Sequence, residues 1–168
     1  MKSIIKTGLA MVALLVVNVM GAQSKPTSSK ETITGKIKDA TITVDYGSPS
    51  MNGRKIWGEL VPFDKIWRAG ANDATTFETD KDITVQGSKL PAGKYSFFII
   101  PNEKECTIIF NKVAKQWGAY KYKQEDDQLR VVVKTQVVRP ITEKLTYQIN
   151  ENILSLKWDH WYIPIQIK

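Results

Sequence analysis

Lys94-Tyr95-Ser96-Phe97-Phe98-Ile99-Ile100-Pro101-Asn102-Glu103-Lys104-Glu105-Cys106-Thr107-Ile108-Ile109-Phe110 reads as a β-hairpin. Its first half is rich in aromatic and β-branched residues and is apolar on both faces, the pattern of a strand covered from both sides. Pro101 to Lys104 supply turn chemistry. Beyond the turn, Cys106, Ile108 and Phe110 recur at every second position and therefore share one face of the returning strand.

Working outward, the same period of two recurs. Ile42, Val44 and Tyr46 alternate with polar residues until Gly47-Ser48-Pro49-Ser50 stops the pattern. Ile83 to Gln86 leads through Gly87-Ser88-Lys89-Leu90-Pro91-Ala92-Gly93 into the opening hairpin. Leu129, Val131, Val133 and Val137 fall on one side of a strand, with Arg130, Lys134 and Gln136 on the other and Pro140 as its stop. Leu145, Tyr147 and Ile149 precede Asn150-Glu151-Asn152, and Leu154, Leu156 and Trp158 follow it, so a second hairpin is expected there. Asp159-His160 reads as a turn into Trp161 to Ile167, where Pro164 demands an edge or a bulge because it has no N–H to donate. No stretch of ten residues carries helical periodicity; Ile56 to Leu60 and Val113 to Trp117 offer at most a short helical turn. The fold class that follows is all-β: an antiparallel β-sandwich carrying one long, ordered, Gly/Pro/Trp-rich insertion.

The ends of the chain bear on its destination. Lys2 and Lys6, the apolar run from Leu9 to Met20 and the small residues Gly21-Ala22 form the pattern of a signal peptide over 1–22, with cleavage after Ala22 or Ser24. That run is shorter than the roughly 20 residues a bilayer requires, so no membrane span is expected. Residues 23–35 are polar and aperiodic and read as a flexible leader, leaving 36–168 as a single β-sandwich domain. The sequence thus predicts an exported, soluble protein of the periplasm or the exterior. Cys106, the only cysteine, lies far from the apolar run, which argues against lipoprotein anchoring and excludes an internal disulfide.

There are 24 Lys+Arg against 17 Asp+Glu. Loss of Lys2 and Lys6 with the signal would leave 22 basic residues against those 17, a net charge of +5. The lysines are scattered, which disfavours nucleic acid as a partner while leaving attraction to anionic envelope surfaces open. His160 and Cys106 stand far apart and alone of their kinds, so no zinc site is expected, and Glu125-Asp126-Asp127 lacks the spacing of a calcium loop. No metal and no cofactor is called for. Ser48 and Ser50 do not sit in a Gly-x-Ser-x-Gly elbow, and Cys106 alternates with core residues.

The segment from Tyr46 to Thr76 breaks the alternation. It is too long for an ordinary loop and too rich in Trp57, Leu60, Val61, Phe63, Ile66 and Trp67 to be disordered, which marks it as the place for function. Five runs carry a resemblance: Tyr46-Gly47-Ser48-Pro49-Ser50, Gly53-Arg54, Gly58-Glu59-Leu60-Val61-Pro62, Trp67-Arg68-Ala69-Gly70-Ala71-Asn72-Asp73-Ala74-Thr75 and Leu90-Pro91-Ala92-Gly93-Lys94-Tyr95-Ser96. In these the chain resembles an exported bacterial family, the domain of unknown function numbered 2911. The resemblance covers most of the chain beyond the signal. It implies an envelope-facing β domain and supplies no catalytic residues.

From the residues themselves, Arg54, Arg68, Asn72 and Thr75 are the candidate ligand contacts, with Trp57 and Trp67 as flat walls. Two guanidinium forks and an amide present directed donors to a carboxylate, a phosphate or sugar hydroxyls. A competing structural account has Arg68 pairing with Asp64, Asp73 or Glu59, Asn72 capping a turn, and Gly70 supplying only a special backbone angle. Three functional classes follow. The first is a non-catalytic envelope module binding a small polar or anionic ligand or an envelope protein. The second is a hydrolase of envelope glycans or similar polar substrates using Glu59 or Asp73. The third is an interaction module whose sheet edge near Pro164 meets a partner strand. Oligomeric state leaves no mark in the sequence.

Overall fold

The computed structural model describes residues 28–168. The expected signal, 1–22, and residues 23–27 of the expected leader lie outside the described residues. The strands in chain order are β1 (Ser29–Ile37), β2 (Ala40–Ser48), β3 (Thr75–Thr79), β4 (Ile83–Val85), β5 (Ser88–Leu90), β6 (Gly93–Ile100), β7 (Glu105–Asn111), β8 (Asp127–Lys134), β9 (Gln136–Asn150) and β10 (Ile153–Gln166). Six of them form one sheet in the order β1-β2-β3-β6-β7-β8; β9 pairs with β10, and β4 with β5. Every strand pair is antiparallel. The all-β antiparallel architecture expected from the alternation is the one the chain adopts.

One core lies between the six-stranded sheet and the β9–β10 hairpin. From the sheet come Ile42, Val44 and Tyr46 of β2, Phe77 of β3, Phe97 and Ile99 of β6, Cys106, Ile108 and Phe110 of β7, and Val131 and Val133 of β8. Cross-strand register stacks them: Val44 faces Phe77, Phe77 faces Tyr95, and Phe97 faces Phe110. From the hairpin come Leu145, Tyr147, Leu154, Leu156, Trp158, Trp161 and Ile163. Phe97 and Tyr147 meet edge to face at 6.1 Å across the layers. Each buried aromatic removes 150–250 Å² from water, about 4–6 kcal/mol at roughly 25 cal/mol per Å². The apolar second face of β6 and β7 is also covered: Phe98 and Ile109 form a smaller core with Ala74, onto which Ala119 and Tyr122 pack.

The second sheet departs from the expected strand breaks in two places. Trp158 and Trp161 both reach the core although they stand three positions apart, which an unbroken strand cannot achieve on one face. β10 solves this with a bulge: its pairing with β9 shifts at Lys157/Asp159 and again at Asp159/Trp161, and Asp159 adopts φ 53°. Asp159-His160 is therefore an irregularity inside one long strand rather than a turn. Pro140, expected to end a strand, lies within β9, in the stretch between Val137 and Thr142 where the pairing to β10 skips. There its missing N–H costs the ladder nothing. The actual break comes at Thr135, which separates the buried Val133 from Val137, an exposed residue rather than a member of the same apolar face.

Part of the segment expected as a leader is a strand. Residues 29–35 belong to β1, an edge strand paired with β2 from Ser29↔Ser48 to Ile37↔Ala40. Its polar residues point outward and bond across the pair, as in Thr32 Oγ1 to Asp45 Oδ1 at 2.6 Å, so a half-exposed edge strand resembles a leader in composition. Ile56 to Leu60 form turns, Val113 to Gln116 have no regular structure and lead to a bridge at Trp117, and the only helical piece among the described residues is a 3-10 turn at Gln124–Asp126.

Two phenols in the core set the alkaline behaviour. Burial pushes the Tyr46 hydroxyl up to about 12, and that of the fully buried Tyr147 well above its ordinary value. Both stay protonated in the folded chain while an unfolded tyrosine releases its proton near 10. The folded state then binds more protons, so stability is intact below pH 10 and falls as pH rises, by up to about 1.4 kcal/mol per pH unit for each tyrosine. Urea unfolding between pH 9 and 11.5 should show that slope, to which the raised Tyr95 and Tyr122 add, and Tyr147→Phe should make it shallower; an unchanged slope in the variant would contradict the assignment.

Candidate functional site

The 49–74 segment, without regular strands of its own, is bound into the fold at both ends and through its middle. Its first contact is Leu145 N to Pro49 O at 2.9 Å, and its centre forms an antiparallel bridge between Trp67 and Ile99, with N–H to carbonyl bonds of 2.8 and 2.9 Å. Trp57 stacks on Trp161 at 4.1 Å and 12°, and Trp67 lies against Trp158 at 6.0 Å and 16°. Both tryptophans are core residues. Only Trp67 also lines a cleft; Trp57 does not, and its Nε1 is buried with no hydrogen-bond partner.

The run Ala69-Gly70-Ala71-Asn72 forms a ridge laid directly on β2. A Cβ on Gly47 would stand 2.1 Å from the Ala71 carbonyl oxygen, and one on Gly70 would stand 2.9 Å from both Gly47 O and Thr75 Oγ1. The two glycines of the sequence motifs thus meet each other. Gly70 is required for close approach; the left-handed angles fall instead on Ala69 (φ 54°) and Asn72 (φ 65°). Main chain and buried hydroxyls hold the ridge: Ala71 N donates to Gly47 O at 3.2 Å, and the Ala69 carbonyl accepts from Thr75 Oγ1 at 3.0 Å and Tyr147 Oη at 2.8 Å. Thr75 is fully buried in this network and supports the ridge from below.

Between this ridge and the Asn52–Arg54 turn opens a cleft of about 280 Å³ lined by Arg54, Arg68, Asn72 and Trp67. Four of the six candidate residues therefore converge. Arg54 braces its own turn, donating from Nε to Met51 O at 2.9 Å and from Nη2 to Ser50 O at 2.6 Å. Arg68 differs. Its half-buried guanidinium makes no ion pair among the described residues, and its Nε is buried without a hydrogen-bond partner. The acids that might have neutralised it are occupied or elsewhere: Glu59 pairs with Lys55 at 3.1 Å, Asp64 accepts from Asn102 at 2.9 Å, and Asp73 lines a different cleft. Asn72 caps no turn with its side chain; its carbonyl accepts from Gly118 N at 3.2 Å.

On the far side of the ridge, sharing Ala71 and Asn72, lies a second cleft of about 360 Å³. Lys30, Lys94 and Lys115 converge on it with Asp45, Asp73 and Gln116. Sequence reading missed it because its lysines come from three distant segments and no local pattern joins them. Lys94 is held by Glu78 at 3.1 Å and Asp45 at 3.4 Å. The Asp45 carboxyl lies below its ordinary range chiefly because Thr32 donates to it, with Lys94 adding to the effect.

Among the described residues, the serine, histidine and cysteine that could serve nucleophilic chemistry each have their own partners. Ser48 is buried and donates to Leu145 O. His160 sits on β10 beside Asp159, with Nδ1 at 3.0 Å from Oδ2. Burial pushes the Cys106 thiol up, away from a reactive thiolate, and Thr135 Oγ1 lies 3.3 Å from its sulfur. The edge near Pro164 is partly covered, since Gln86 N donates to Gln166 O and Thr84 exchanges two bonds with Lys168.

A family model described as "Protein of unknown function (DUF2911)" matches residues 28–167. No curated protein and no solved structure matches the chain.

The ridge makes a steric prediction. Gly47→Ala forces a methyl group into main chain that cannot step aside, and should cost about 2–4 kcal/mol in urea unfolding. Gly53→Ala is the control: a Cβ there meets nothing within 4 Å, although its φ of 71° carries a strain of about 1 kcal/mol. Equal losses in the two variants would show that the ridge is not packed as described.

Proposed function

The chain belongs to the DUF2911 family of proteins of unknown function, and from that starting point we propose that it is a non-catalytic binding module for a small anionic ligand held in the Arg68 cleft. The observation that carries the reading is the guanidinium of Arg68, half-buried, unpaired and facing an open cleft. A buried donor without a partner costs about 1–3 kcal/mol, more when charged. A carboxylate or phosphate oxygen from outside would remove that cost, and the planar fork of arginine suits two parallel bonds to such a group. The free part of the Arg54 guanidinium supports a second contact to the same anion. The amides of Asn52 and Asn72, which also line the cleft, suit hydroxyls on the rest of the ligand, with Leu60 and Trp67 as its apolar side. No carboxylate, histidine or cysteine lines this cleft among the described residues, which favours binding over hydrolysis. The signal-like pattern at 1–22 supports a place outside the cytoplasm.

A thermal-shift series tests this. Protein beginning at Gln23 is titrated with acetate, citrate, phosphate, sulfate and glucuronate. At 100 times its dissociation constant a ligand of the folded state adds about 2.7 kcal/mol. Arg68→Met should remain folded, at a stability equal to or above that of the parent because the unpaired buried Nε is gone, and should lose the ligand-dependent gain. A panel in which no anion stabilises the parent, or in which Arg68→Met responds equally, refutes the proposal.

A further inference from the structure

The loop joining β7 to β8 has a composition unlike the rest of the surface. Its first twelve residues, Lys112-Val113-Ala114-Lys115-Gln116-Trp117-Gly118-Ala119-Tyr120-Lys121-Tyr122-Lys123, hold four lysines and no acid, and the 3-10 turn that completes it adds Glu125 and Asp126. Three of its apolar side chains are open to solvent: Val113 at 44%, Trp117 at 63% and Tyr120 at 85%.

This exposure belongs to a fixed loop. Gln116 O accepts from Ala74 N at 2.9 Å, Gly118 N donates to Asn72 O at 3.2 Å, and Gln116 Nε2 reaches Ser96 Oγ and Asn111 Oδ1, each at 3.1 Å. Tyr122 Oη donates to Asp127 Oδ2 at 2.6 Å and is also bonded by Arg130. Gln116, Ala119 and Tyr122 thus anchor the loop at every third residue, and Ala119 and Tyr122 cover the smaller core. The intervening Trp117 and Tyr120 are left outside by the same fold that buries their neighbours.

We propose that this loop is a docking surface for an anionic lipid bilayer. Lys112, Lys115 and Lys121 have no ion pair among the described residues, and Lys123 has only an exposed one, to Glu125 at 3.7 Å. Such a cluster is drawn to negatively charged headgroups and is weakened by salt. Tryptophan and tyrosine are the side chains that settle at the level of lipid headgroups, an apolar ring below and a polar atom toward water. Val113, Trp117 and Tyr120 line neither cleft described above. A peptide or a polysaccharide chain calls for a groove to follow, whereas a bilayer presents a surface onto which exposed side chains can insert. Opposing charges border the loop: Glu125 beside Lys123, Asp127, which accepts from Tyr122, and Asp73, whose backbone bridges to Trp117. The proposal stands apart from the ligand reading, since neither Arg54 nor Arg68 takes part.

Co-sedimentation with vesicles provides the test, using protein beginning at Gln23 so that the apolar run at Leu9 to Met20 cannot contribute. Vesicles of phosphatidylglycerol and phosphatidylcholine in equal parts should bind the protein at 0.05 M salt, with affinity falling at least tenfold at 0.3 M salt and by a similar factor on pure phosphatidylcholine. Trp117→Ala with Tyr120→Ala, and separately Lys112→Gln with Lys121→Gln, should each weaken binding tenfold or more. Arg68→Met should bind as the parent does. Absence of binding to the mixed vesicles overturns the proposal, as does parental affinity in both double variants. Tighter binding to soluble polygalacturonate than to vesicles would assign the loop to an acidic polysaccharide and equally overturn it.

Discussion

Two stacked indole pairs, Trp57 on Trp161 and Trp67 on Trp158, join the irregular 49–74 segment to the second sheet. Everything at the candidate site rests on that junction. A segment of this length without strands would otherwise pay the backbone ordering cost, about 1–2 kcal/mol per residue, with little apolar burial to offset it. The pairs exist because β10 bulges at Asp159, changing which side chains face inward, so that Trp158 and Trp161 both reach the core. Trp57 also meets Trp67 edge to face at 5.7 Å, which makes the four rings one cluster rather than two independent contacts.

With the segment held by its rings and its main chain, the remaining polar side chains are released from structural duty. The ridge at Ala69 to Asn72 is fixed by Gly47, Thr75 and Tyr147, none of which has to reach the solvent. Arg68 helps to hold that ridge only through its carbonyl, which accepts from Thr75 N at 3.1 Å, and its side chain takes no part. Proteins commonly accept lower stability at positions where a ligand must bind, and an unpaired, half-buried guanidinium is a cost that packing alone would eliminate. Arg54 is the contrasting case, since two of its nitrogens brace the turn that carries it. It is partly structural and partly available, which is why the two arginines are not equivalent members of the site.

Much of the fold was legible because its central strands obey a simple period. β2, β6 and β7 carry their core residues at alternate positions, so both the strands and their inward faces could be read directly. The errors fall where backbone geometry overrides composition. Asp159-His160 looks like turn chemistry yet serves a bulge, and the polar edge strand β1 looks like a leader because only one of its faces meets the core. At the site, Arg54, Arg68, Asn72 and Trp67 were found from residue chemistry and do share a cleft. Thr75 and Trp57 lie in the core and outside that cleft, a placement residue chemistry could not give, because a hydroxyl or an indole has the same chemistry whether it faces a cleft or the core. The Lys30, Lys94 and Lys115 cleft was invisible, since only the strand order brings those positions together.

The ridge also links surfaces that are distant in the chain. Asn72 borders both clefts, and its carbonyl holds Gly118 of the lysine-rich loop, while Ala74, two residues on, holds Gln116. The backbone that presents Arg68 to one cleft is therefore the backbone to which the β7–β8 loop is tied. A rigid connection of this kind fixes the direction of the Arg68 cleft relative to whatever surface Trp117 and Tyr120 meet. For a binding module that matters more than added affinity, because attachment through a loop free to swivel would leave the opening of the cleft pointing anywhere. The two main-chain hydrogen bonds at Asn72 and Ala74 hold that orientation together with the side chains of Gln116 and Tyr122, which anchor the loop to β6, β7 and β8.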